Sequence, residues 1–132
     1  MSYKHRLAEE SEWIGVWDID EYGFGVNRSF ADVLRANPHI WLMADEIYKH
    51  ISYGPFASFL EVAPDLADRM LVINGVSKAY AMTGWRLGWG IGPNALISAM
   101  TGIQGQSTSG TSSISQAAAL AALTGPLELL AE

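Results

Sequence analysis

The stretch MLVINGVSKAYAMTGWRLG, residues 70–88, decides how this chain is read. Met70 to Asn74 is an apolar run of strand length that ends on a polar residue. Such a run fits a strand buried on both faces, as in a parallel sheet. Gly75 to Lys78 follows the strand end, and the glycine-rich segment Trp85 to Gly92 contains a weaker third strand.

Upstream, Ile40 to Ala44 is a second apolar run, also predicted to be buried on both faces. Asn27 or Ser29 is predicted to cap a short helix through Ala31, Val33 and Leu34, which Asn37-Pro38 ends. Pro64 starts a helical turn reaching Arg69. Downstream, Pro93 fits the first turn of a helix running to about Ser107. The alanine-rich span Ser113 to Leu123 is a second helix, and Ser107 to Ser115 contains the connection between them. Strands alternating with helices predict a layered α/β architecture. In such sheets the chemistry collects at the carboxyl ends of the strands, here Asp45-Glu46 and Asn74 to Lys78.

The 132 residues suit one domain, and 49% hydrophobic content is globular. Charged residues are 17%, below the roughly 25% of a typical soluble domain. Fourteen acidic against eight basic residues give a net charge of −6, which argues against a nucleic-acid partner. With no cysteine, a disulfide scaffold and a thiol nucleophile are both excluded. No signal-peptide core follows Met1, and a cytoplasmic location is expected. From Leu87 through Leu127 there is no charged residue or histidine. Glycines, Pro93 and a Ser/Thr/Gln tract break that span, so it reads as interior sequence of a larger assembly, not a membrane helix. Residues 1–30 carry no clear period and stay unassigned; residues 31–132 are the legible unit.

Asp45 follows an apolar run, so it is either a helix cap or turn-forming Asp, or an anion held against a buried cation. Tyr48 can bring its hydroxyl to the same place. Lys78 has small or apolar neighbours; a desolvated lysine becomes a nucleophile able to form a Schiff base, whereas an ordinary one is a solvated charge. Arg86 is a fork-shaped donor suited to phosphate or a surface ion-pair partner, and Ser77 adds a hydroxyl. Gly75 and Gly84 either let the backbone approach a ligand or are ordinary turn glycines. Asp18 to Gly23 starts like a calcium loop but has Tyr22 at its fifth position and Ser29 at its twelfth, so it reads as an acidic turn. His5, His39 and His50 lack metal-ligand spacing, and no metal site is expected.

Residues 74–88, NGVSKAYAMTGWRLG, resemble the lysine motif of pyridoxal-phosphate-dependent aminotransferases of class I/II, the group that includes aspartate aminotransferase. Residues 44–48, ADEIY, resemble that family's cofactor-ring motif, and residues 106–109 and 113–117 are similar to further family segments. The resemblance covers about residues 31–132 and implies part of the large domain of a three-layer α/β/α fold. It implies that Lys78 holds pyridoxal phosphate as a Schiff base and moves the substrate proton. Asp45 would pair with the pyridine nitrogen, Tyr48 with the ring's phenolic oxygen, and Ser77 and Arg86 with the phosphate. The implied reaction is amino transfer between an amino acid and a 2-oxo acid, in a dimeric enzyme.

Family members are several times longer, and the family's Asn-Pro motif is not seen before Ala31. The ring-stacking aromatic residue and the arginine that clamps the substrate carboxylate are expected outside these residues. The resemblance thus leaves three expectations: an aminotransferase fragment, a catalytically incompetent remnant that binds cofactor weakly, or a module that docks on a full-length homologue.

Overall fold

The structure, a computed structural model, describes residues 13–16, 24–52 and 54–126. Ten short elements follow one another: β1 (Trp13–Val16), α1 (Phe24–Ala36), β2 (Trp41–Asp45), α2 (Phe59–Val62), a 3-10 turn (Pro64–Arg69), β3 (Met70–Gly75), a second 3-10 turn (Thr83–Trp85), β4 (Gly88–Ile91), α3 (Asn94–Ser107) and α4 (Ser113–Thr124). The strands form one sheet in the order β1-β2-β3-β4. β1, β2 and β3 are parallel, and β4 returns antiparallel on β3 with Gly75 opposite Gly88.

One face of β2 and β3 carries the core. Leu42 and Ala44 alternate with half-buried Met43, and Met70 and Val72 lie beside them. Ala31 and Leu34, three residues apart on α1, pack there with Phe59, Ala63 and Leu66 from the α2 region. Phe30 and Phe59 meet edge to face at 6.0 Å, joining α1 to α2. On the opposite face, Leu71, Ile97 and Met100 converge on Gly90, where a Cβ would lie 3.1, 3.9 and 3.8 Å from their side chains. Helices therefore lie on both faces of the sheet, the layered α/β arrangement that the strand and helix pattern predicts.

Arg69 fastens the end of α1. Its guanidinium donates to the carbonyls of Leu34, Asn37 and Ile40, at 3.0, 3.0 and 2.8 Å. Two of these lie at or just past the last helical turn, where carbonyls lack partners within the helix.

Several expectations change. Residues 13–16 form a strand, and α1 begins at Phe24, so Asn27 and Ser29 lie inside the helix. The start is hidden because FGVN shows no apolar period. β2 is not fully buried on both faces: Leu42 and Ala44 lie in the main core cluster, whereas Trp41 and Met43 on the other face are half-buried. The glycine-rich strand falls inside the expected segment, at Gly88–Ile91, and Thr83–Trp85 before it is a 3-10 turn. The acidic segment Asp18 to Gly23 and His5 lie outside the described residues.

Candidate functional site

The carboxyl ends of β2 and β3 lie side by side, with Asp45 opposite Ile73. Two loops rise from this end. One runs from Glu46 and carries Tyr48; the other spans residues 76–87 and carries Ser77, Lys78 and Arg86. Because β4 is antiparallel to β3, the second loop starts and finishes at this same end.

The loops meet through two ring contacts. The Lys78 ammonium stands over the Tyr48 ring, 5.5 Å from its centroid. The rings of His50 and Tyr80 make an edge contact at 6.3 Å. Loop 76–87 also ties itself together. Ala81 N donates to the Lys78 carbonyl at 3.0 Å, Met82 N to the Val76 carbonyl at 3.3 Å, and the Thr83 hydroxyl to the Ser77 carbonyl at 3.0 Å. Ala81 and Arg86 have left-handed backbone, with φ of 51° and 52°. Such a conformation costs a non-glycine residue energy and sets the direction of its side chain. The exposed Arg86 guanidinium donates to the Thr83 carbonyl at 3.2 Å.

Asp45 is half-buried, and its Oδ1 accepts the Ile47 amide at 3.1 Å. It is therefore a turn-forming Asp, and its carboxylate keeps acceptor capacity beyond that bond. Lys78 is exposed, not desolvated as its small neighbours suggest. The loop stands beyond the end of β3, so Ser77 and Ala79 do not bury it. Gly75 serves packing. A Cβ there would lie 3.1 Å from the Leu87 carbonyl oxygen and 3.2 Å from Gly88 Cα, so the close approach is that of β4. Around Gly84 there is open space.

Thus the structure brings Lys78 and Tyr48 into contact, and it places Asp45, Ser77 and Arg86 at the same end of the sheet. A primary amine, a phenol, a carboxylate, a hydroxyl and a guanidinium gather there. That set offers one nucleophilic amine, hydrogen-bonding hydroxyls, an acceptor carboxylate and a fork-shaped cation suited to an anion.

Glu46 stands at the strand end that the sequence points to, but the sequence gives it no role of its own. It is only 3% exposed, and its Oε1 accepts the Ser58 hydroxyl at 2.8 Å and the Phe59 amide at 3.0 Å. The available signal was a second acid directly after an apolar strand, twelve residues before a serine that opens a short helix. Among the described residues no cluster of three or more acidic or histidine side chains could hold a metal ion, and no helix is long and apolar enough to cross a membrane.

Comparison with known proteins defines the class. The family model described as aminotransferase class I and II matches residues 28–132, and the chain belongs to that family. It is similar to an aspartate aminotransferase of Rhizobium meliloti, 53% identical over 107 residues, covering 80% of this chain and 26% of that protein. A probable aspartate/prephenate aminotransferase of Rickettsia felis is 50% identical over 111 residues, covering 83% and 27%. The crystal structure of aspartate aminotransferase from Rhizobium meliloti superposes with a TM-score of 0.88 at 42% identity, covering 95% of this chain and 33% of that one. That span extends into the first thirty residues. This chain spans about a quarter to a third of the length of these relatives.

Proposed function

We propose that residues 31–132 form part of the pyridoxal-phosphate-binding large domain of an aspartate-type aminotransferase. The observation that carries this reading is the Lys78 ammonium over the Tyr48 ring, with Asp45 at the end of the neighbouring strand. Aminotransferase names among the relatives support the reaction class. The reaction moves an amino group between an amino acid, aspartate or glutamate in this reading, and a 2-oxo acid.

When bound, pyridoxal phosphate supplies an electron-withdrawing ring that takes up charge from the substrate α-carbon. The residues of this chain do the rest. Lys78 would anchor the cofactor through its Nζ and, as a free amine, would move the substrate's α-proton. The Asp45 carboxylate would pair with the ring nitrogen, and the Tyr48 hydroxyl with the phenolic oxygen. Ser77 and Arg86 would hold the phosphate, Arg86 as a fork-shaped donor. Dimeric assembly and a cytoplasmic location belong to the same reading.

A second reading is that these residues bind the cofactor weakly without turnover, or dock on a full-length homologue. One titration separates the two. Purified chain is mixed with pyridoxal phosphate and its visible absorbance recorded, with Lys78→Ala as control. Then aspartate or glutamate is added. A band that depends on Lys78 and shifts with amino acid supports the enzyme. A static band supports the second reading, and no band in the unmodified chain rules out cofactor binding by it.

A further inference from the structure

We propose that Glu46 is the positioning residue of the cofactor site: its carboxylate locks the turn that carries Asp45 and Tyr48 onto the start of α2. The inference rests on the cofactor reading above and adds a residue to it.

Glu46 is tied in three directions. Its amide donates to the Ile73 carbonyl at 2.8 Å, extending the β2–β3 pairing by one residue past Asp45. Its own carbonyl accepts the Lys49 amide at 3.0 Å, closing the turn over Tyr48. Its Oε1 takes the Ser58 hydroxyl and the Phe59 amide. Ser58 is itself 6% exposed, and Phe59 belongs to the core. The side chain thus links the turn to the best-packed part of the molecule. Asp45 and Tyr48 are half-buried and exposed, and their positions come from this turn more than from burial of their own side chains.

A buried carboxylate is costly unless hydrogen-bonded, and here both donors come from one place, the entry to α2. Removing it orphans a buried hydroxyl and a buried amide and frees the turn from its support. A functional group held by a locked shell keeps its geometry; one left to a loose loop does not.

The test uses the full chain and three variants. Glu46→Ala removes the acceptor. Glu46→Gln keeps the volume and the Oε1 acceptor, and Ser58→Ala removes one donor in case Glu46→Ala fails to fold. The first readout needs no cofactor: amide hydrogen exchange at Ile47 and Lys49 should quicken about tenfold in Glu46→Ala while Leu71 and Val72 stay protected. The second is pyridoxal phosphate affinity, expected to fall about tenfold in Glu46→Ala, less in Ser58→Ala, and to be largely restored by Glu46→Gln. Unchanged exchange and affinity in Glu46→Ala and Ser58→Ala overturn the proposal. So does Glu46→Gln behaving as Glu46→Ala, since the acceptor is then not what matters. Failure of the unmodified chain to bind the cofactor would instead sink the function reading, and with it the cofactor half of this inference.

Discussion

The Lys78 ammonium and the Tyr48 ring stand 5.5 Å apart, joining two loops that leave different strands. An exposed contact of this kind is worth about 0.5–1 kcal/mol, too little to hold the loops by itself. Its importance is placement. Tyr48→Phe keeps the ring, so the urea unfolding free energy should move by less than about 0.5 kcal/mol. The same variant should bind pyridoxal phosphate more weakly, because only the hydroxyl is lost. Lys78→Ala should abolish any cofactor fixed to protein by borohydride, read by mass spectrometry.

Gly75→Ala should be destructive where Gly84→Ala is not. At Gly75 the added methyl meets Leu87 and Gly88 backbone at 3.1 and 3.2 Å, and neither can swing aside. The expected loss is about 1–3 kcal/mol by urea denaturation. At Gly84 nothing lies within 4 Å, and the change should stay within about 0.5 kcal/mol.

Arg69→Met keeps an apolar stem but removes the charged donor from three carbonyls, of which Leu34 and Asn37 still accept a backbone amide. Bonds to a charged group are worth roughly 1.5–3 kcal/mol, so a loss of about 2 kcal/mol is expected. Thermal melts should show it, and exchange should rise first at the amides near Asn37 and Ile40.

The Arg35 guanidinium beside Asp65, bonded at 2.8 and 2.9 Å, holds the Asp65 carboxyl below the usual carboxylate range. A lowered folded-state pKa adds stability above the unfolded pKa, and that part is lost as pH falls through the folded one. Asp65→Asn should therefore be less stable than the parent at pH 7, and the two should converge under acid. The pair is solvent-exposed, so the gap should be small and should shrink in high salt. Urea midpoints at pH 7 and in acid, with and without salt, check this.

The strands at Met70 and Trp41 were legible because apolar runs of that length have few alternatives, and the turn at Pro64 and both C-terminal helices followed from proline and alanine. β1 was not, since four residues among aromatics and acids give no period. α2 was missed for the same reason, being one turn long. The direction of β4 is a tertiary property that its own residues do not encode. The site residues were legible as residue types at strand ends. Burial was harder: Lys78 is exposed and Glu46 is not, because the depth of a loop side chain depends on what packs over it from elsewhere.

The antiparallel return of β4 also sets an order of assembly. Joining β3 to β4 closes the twelve residues 76–87, whereas β2 meets β3 only after the twenty-four residues 46–69 are gathered. Doubling a loop costs about 0.6 kcal/mol more in chain entropy, and local pairings form faster than distant ones. The loop bearing Lys78 and Arg86 is therefore expected to close first, and the turn bearing Tyr48, inside the longer crossover, after it.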